Sequence, residues 1–178
     1  SSIGQGSMLT TPLQLASGTA TLAMRGQRFQ PTLINRIQTA DGKITTDTPT
    51  PLAPITIKQK NWDTVIQGMV NVIRGSQGTG WRFGKPSYSV AAKTGTAQVY
   101  SLRGEKYILA NVPARLRDNS MFIAFAPVDK PQIAIAVVVE NGGSGAKAAA
   151  PIARKIMDRF FQKKLQRAAA PSKHHVFG

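Results

Sequence analysis

Cysteine is absent from these 178 residues, and the only two histidines, His174 and His175, stand side by side near the end of the chain. Disulfides, thiolate zinc sites and any spaced histidine triad are thereby excluded, and no metal or other cofactor is expected. Negative charge is scarce, with 8 Asp and Glu against 23 Lys and Arg, for a formal charge of +15. Such a surplus suits anionic partners, whether nucleic acid, anionic lipid or a carboxylate-rich polymer, and does not choose among them. Long apolar runs are missing too. The longest, Ile133 to Val139, is far short of the roughly 20 residues that cross a bilayer, so nothing here is expected to span a membrane. The chain opens Ser-Ser-Ile-Gly-Gln-Gly without an initiator methionine, which leaves room for a targeting segment upstream. What is present, 42% hydrophobic and 17% charged residues, fits one globular domain or part of a larger one.

Thr11-Pro12 supplies an N-cap hydroxyl and a first-turn proline. A helix is therefore expected over 11–25, with Leu13, Ala16, Ala20 and Met24 on its apolar face and Gly26 as its stop. Residues 29–48 hold two short extended runs around Asp41-Gly42, a hairpin signal. Three prolines between 48 and 54 make that stretch a surface connection. Trp62, Val65, Ile66, Met69, Val70 and Ile73 recur at helical spacing and predict a helix over 58–74 with one buried stripe, ended by Gly75. A glycine-rich segment (75–87) leads into a strand over 89–99. A basic, irregular loop (100–118, with Arg103, Lys106, Arg115 and Arg117) follows, then strands over 119–126 and 132–140 joined by a Pro-Val-Asp-Lys-Pro turn. Short links favour one antiparallel sheet. The last helix, 147–163, is expected on the opposite side of that sheet from the first two, with Ile152, Ile156, Phe160 and Leu165 facing inward.

Within the first of these strands, Val90-Ala91-Ala92-Lys93-Thr94-Gly95-Thr96-Ala97 places one ammonium among apolar neighbours. Burying an unpaired ammonium costs several kcal/mol, so Lys93 calls for an anion or an open cleft. Side chains alternate along a strand, which puts Lys93 and Gly95 on one face and Thr94 and Thr96 on the other. An edge of this kind can pair with an extended peptide. Gly95 permits close approach, Lys93 supplies positive potential, and the two hydroxyls can hold a carboxylate. The plain alternative is a surface lysine on an edge strand.

Lys93-Thr94-Gly95 resembles the Lys-Thr-Gly motif of serine penicillin-binding proteins and class A β-lactamases. Further words extend the likeness: Ile-Gly-Gln-Gly with Thr-Pro-Leu-Gln-Leu-Ala in 3–16, Ala-Ala-Lys-Thr-Gly-Thr-Ala-Gln-Val at 91–99, Arg-Leu-Arg-Asp at 115–118, Phe-Ile-Ala-Phe-Ala-Pro at 122–127 and Val-Val-Val-Glu-Asn-Gly-Gly-Ser-Gly at 137–145. Together they resemble the elongation-class (class B) penicillin-binding protein 2 family from about residue 3 to 161. The resemblance implies an α+β fold, an antiparallel sheet flanked by helices, forming the C-terminal half of a serine β-lactamase/transpeptidase-like domain. It divides the chain into that portion (1–165) and a basic, flexible tail (166–178). It also implies that Lys93, Thr94, Gly95 and Thr96 bind substrate, that Lys93 is catalytic, and that the Thr96 backbone N–H is one of two oxyanion-hole donors.

The family also needs a Ser-x-x-Lys nucleophile and a Ser-x-Asn motif ahead of the Lys-Thr-Gly strand, and no Ser-x-Asn occurs in these residues. One Ser-x-x-Lys match exists, Ser144-Gly145-Ala146-Lys147, but it follows that strand in a glycine loop and reads as a structural connection. The nucleophile is accordingly expected upstream of residue 1, and this chain alone is expected to be inactive. By resemblance, the whole enzyme is a peptidoglycan D,D-transpeptidase at the periplasmic face of the bacterial inner membrane, anchored by an upstream transmembrane helix. Its implied partners are stem peptides, β-lactam antibiotics, the upstream half of the same domain and elongation-complex membrane proteins. A β-lactamase or penicillin sensor on the same fold is the alternative, separable by the upstream sequence and a hydrolysis assay. No nucleic-acid partner is expected, because aromatic-interleaved basic motifs, a helix-turn-helix and a zinc pattern are all lacking.

Overall fold

The computed structural model describes residues 9–99 and 112–169. Helix α1 (Pro12–Ala23) begins with a reciprocal cap: the Gln14 N–H donates to Thr11 Oγ1, and the Thr11 N–H donates to Gln14 Oε1. At its exit the Gly26 N–H returns to Thr21 O at 2.9 Å. Four short strands follow: β1 (Arg28–Phe29), β2 (Arg36–Gln38), β3 (Ile44–Thr46) and β4 (Pro51–Leu52). β2 and β3 form the expected exposed ribbon, and β1 pairs with β4, so the proline-rich connection also carries a two-residue pairing. Helix α2 (Gln59–Arg74) comes next.

Strands β5 (Ala91–Ala97), β6 (Asn119–Ala126) and β7 (Ile133–Val139) form one antiparallel sheet in the order β5-β6-β7, as expected. Across it Lys93 faces Ile123 and Ala136, while Thr94 faces Phe122 and Val137. Since β6 is apolar at nearly every position, both faces need a cover. On one face Ala91, Ile123, Phe125 and Ala134 meet Ala23 of α1 and Ile66 and Met69 of α2. On the other, Ala92, Phe122, Ala124 and Ala126 meet Phe83 and the Ala149, Ala150, Ala153 and Met157 side of helix α3 (Ala149–Ala169). Two helices on one side and one on the other is the arrangement the sequence predicts. β7 has a ladder partner on only one side among the described residues.

Three helix faces differ from expectation. In α3, Ile152, Ile156 and Leu165 are 42%, 47% and 71% exposed, and Phe160 is half-buried. The stacked rings of Phe83 and Phe122, 5.6 Å apart, already fill the space beneath the helix. Only the alanine side fits there, and Phe161 takes the aromatic place against Tyr88 at 4.4 Å. In α1, Leu13 and Met24 are exposed, and the helix packs through Thr19 and Ala23. Thr19 tolerates burial because its hydroxyl donates to Leu15 O at 2.7 Å. In α2, Val65 is exposed while the rest of the predicted stripe is buried or half-buried. Helix α3 runs through Ala169, past the helix end expected at 163. Arg103 and Lys106 of the basic loop, the Ile-Gly-Gln-Gly word and His174 and His175 lie outside the described residues.

Candidate active-site strand

β5 is an edge strand among the described residues, and the site follows from what holds it. Its first two residues, Ala91 and Ala92, are fully buried, which anchors the strand, whereas Lys93 and Thr96 are exposed and Thr94 and Gly95 half-buried. The exposed Lys93 ammonium donates to Thr94 O at 2.8 Å. The register sets Lys93 and Gly95 on the α1/α2 face and Thr94 and Thr96 on the α3 face, as period-two alternation requires.

Supports that no motif announces surround this strand. Thr79 Oγ1 lies 2.9 Å from Thr94 Oγ1. The glycine loop after β7 lies over the far end of the strand so closely that a Cβ on Gly145 would sit 2.5 Å from Gly95 O and 2.4 Å from Met121 O. Ser120, fully buried between Thr96 and Val139 in the register, donates to Ser144 O at 2.9 Å and accepts from the Ala149 N–H. The Gly143 N–H donates to Asp118 O at 2.8 Å, and the Asn141 side chain donates to Arg115 O and Arg117 O. The Arg-Leu-Arg-Asp and Asn-Gly-Gly-Ser-Gly words are thus brought together beside the Lys-Thr-Gly strand. Ser144 and Lys147 form the turn into α3, where the Lys147 and Ala148 N–H groups donate to Ser144 O. That is the connecting role the sequence suggests.

Behind the strand, the Tyr88 hydroxyl donates to Asp158 Oδ1 at 2.7 Å, and Arg154 donates to both Asp158 oxygens and to Phe83 O. Burial and the neighbouring Asp158 carboxylate push the Tyr88 phenol well above its ordinary value. A cavity of about 600 Å³ lies between α1 and Trp62 and is not lined by Lys93. Among the described residues, no three His, Cys, Asp or Glu side chains cluster as metal ligands.

A family model, the penicillin binding protein transpeptidase domain, matches residues 1–158. The chain belongs to that family. Among relatives of this transpeptidase family, the chain is 39% identical over 171 residues to the peptidoglycan D,D-transpeptidase MrdA of Haemophilus influenzae, covering 92% of this chain and 25% of the relative. It is 36% identical to MrdA of Acinetobacter baumannii, over 99% of this chain and 26% of the relative. The chain thus spans about a quarter of the length of these curated relatives. Among solved structures, Pseudomonas aeruginosa PBP2 in complex with WCK 5153 aligns with a TM-score of 0.68 at 41% identity, over 89% of this chain and 32% of that one. Penicillin-binding protein A of Mycobacterium tuberculosis, an imipenem acyl-enzyme complex, aligns at 0.69 with 30% identity, over 90% and 33%. The Helicobacter pylori PBP2 complex with MreC aligns at 0.70 with 27% identity, over 90% and 26%. These likenesses place the fold of the described residues among transpeptidase domains, an α+β architecture.

Proposed function

We propose that this chain is the Lys-Thr-Gly part of a peptidoglycan D,D-transpeptidase of the elongation class. The observation that carries the reading is β5 itself: an edge strand with its root buried, an exposed Lys93, and Thr94 and Gly95 braced from two sides. In the whole enzyme a serine from outside these residues attacks the penultimate D-alanine carbonyl of a stem peptide. The carbonyl becomes a tetrahedral oxyanion, the terminal D-alanine leaves as its amine takes a proton, and an ester acyl-enzyme remains. An amine of a neighbouring stem then attacks the ester and releases the serine. The Thr96 backbone N–H donates to the oxyanion, Lys93 stabilises charge at the serine and the substrate carboxylate, and the Thr94 and Thr96 hydroxyls hold that carboxylate. β-Lactams acylate the same serine. Residues 1–165 are assigned to this catalytic domain and 166–178 to a basic tail.

The same reading assigns the whole protein to the periplasmic face of the inner membrane, held by an upstream helix. Its further partners are membrane proteins of the elongation machinery, a class that the MreC complex of the H. pylori relative supports. Among the described residues, no helix is long and apolar enough to cross a membrane.

The test is acylation by a fluorescent penicillin, read on a denaturing gel and by stopped flow. The 178-residue chain alone should stay unlabelled, and the whole protein should label on a serine outside it. Lys93→Ala in the whole protein should lower the second-order rate constant by about 10² with little change in melting, since Lys93 is exposed. A covalent adduct on Ser144, or a wild-type rate for Lys93→Ala, would show the assignment to be wrong.

A further inference from the structure

We propose that Thr79 is a positioning residue for substrate-carboxylate binding, donating its hydroxyl proton to Thr94 Oγ1 so that the Thr94 O–H is left to point at the anion. The inference rests on the reading of Thr94 as a carboxylate-holding group. The two hydroxyl oxygens are 2.9 Å apart across 15 residues of sequence, and Thr79 is held where it is by the backbone on either side of it. The Gly78 N–H donates to Gly75 O, and the Gly80 N–H donates to Val72 O, both at 2.9 Å. A Cβ on Gly78 would sit 2.3 Å from Val72 O, and one on Gly80 would sit 2.7 Å from Ile73 Cδ1. Glycine on both sides lets the loop lie flat on the last turn of α2, which is itself clamped to the sheet through Ile66 and Met69. Thr79 is thereby presented to β5 by a fixed loop.

A hydroxyl carries one proton and two lone pairs. If Thr94 gave its proton to Thr79, it would offer an anion only lone pairs. With Thr79 as donor, the relay Thr79 O–H to Thr94 O–H to carboxylate has every proton placed, and each bond polarises the next. The charge-assisted bond to the anion is the stronger one and selects this direction.

The test uses the whole protein and two probes that differ only at the carboxyl group: a penicillin with its free carboxylate and the uncharged methyl ester of the same penicillin. Thr79→Val keeps the branched shape and removes the donor. It should lower the second-order acylation rate of the free penicillin by about fivefold, through weaker binding before acylation with the acylation step itself unchanged. Thr79→Ser should restore the rate to within about twofold, and the ester should be insensitive to either change. If Thr79→Val reacts with the free penicillin at the wild-type rate, or slows both probes equally, Thr79 is only structural and the inference falls. Thr94→Val separates the two claims. Slowing by Thr94→Val without slowing by Thr79→Val overturns the role of Thr79 alone, whereas no effect from Thr94→Val overturns the carboxylate site and the inference with it.

Discussion

Gly145→Ala adds one methyl group at the place where the loop after β7 touches the Lys-Thr-Gly strand. The new Cβ would stand 2.4 Å from Met121 O, 2.5 Å from Gly95 O and 3.1 Å from Gly95 N. All three are backbone atoms of two paired strands, so no side chain can swing aside. Comfortable carbon–oxygen contact begins near 3.3 Å, so the loop must retreat by roughly 0.9 Å. Three hydrogen bonds resist that movement: Ser120 Oγ to Ser144 O at 2.9 Å, Gly143 N–H to Asp118 O at 2.8 Å, and Ala150 N–H to Gly145 O at 3.0 Å. Overpacking costs about 1–3 kcal/mol, and weakening one bond adds about 1 kcal/mol. A total near 3 kcal/mol corresponds to a fall in melting temperature of roughly 6–12 °C for an unfolding unit of about 150–250 residues, and of a few degrees for a larger one. Differential scanning calorimetry of the whole protein and the variant measures this directly. An unchanged melting temperature would mean that the loop does not lie against Gly95, and the account of how β5 is held would be wrong.

Gly68→Ala carries the opposite sign: Gly68 is exposed within α2 with nothing near its missing Cβ, so thermal melts should show stabilisation by about 0.5–1 kcal/mol. Met157→Ala should cost about 2–5 kcal/mol in denaturant titrations, because Met157 is fully buried between α3 and the sheet. A cost below about 1 kcal/mol would contradict the observed face of α3. Tyr88 predicts a pH dependence. Its phenol is raised above the ordinary value of 10.0 in the folded chain, so folding favours the protonated form. That contribution is complete below pH 10 and is lost as pH rises beyond it. Tyr88→Phe should flatten the alkaline limb of stability against pH, and an unchanged limb would refute the assignment.

The sheet was legible because its signals are local. Short uninterrupted apolar runs, a turn with two prolines around an aspartate, and the Lys-Thr-Gly word each depend on neighbours in sequence. The inward face of α3 was not, because aliphatic size was read as burial. Ile152 and Ile156 are larger than Ala149, Ala150 and Ala153, yet it is the three alanines, with Met157, that pack against Phe83 and Phe122. Leu13 and Met24 of α1 fail for the same reason, since the helix packs through Thr19 and Ala23. The residues of the candidate site were named from their motif, but their supports were not. Thr79 sits in a segment that reads only as glycine-rich, and nothing local says that its hydroxyl meets Thr94. Which backbone approaches Gly145 is likewise a property of the assembled sheet and loop.

The outer side of β7 bears on handling the chain by itself. Ile133 to Val139 is seven residues without charge, proline or glycine, and its far edge has no ladder partner among the described residues. A strand of that composition with open N–H and C=O groups is a template for adding further strands, including copies of itself. Produced alone, the chain should self-associate through this edge as its concentration rises, giving dimers or larger particles that light scattering detects.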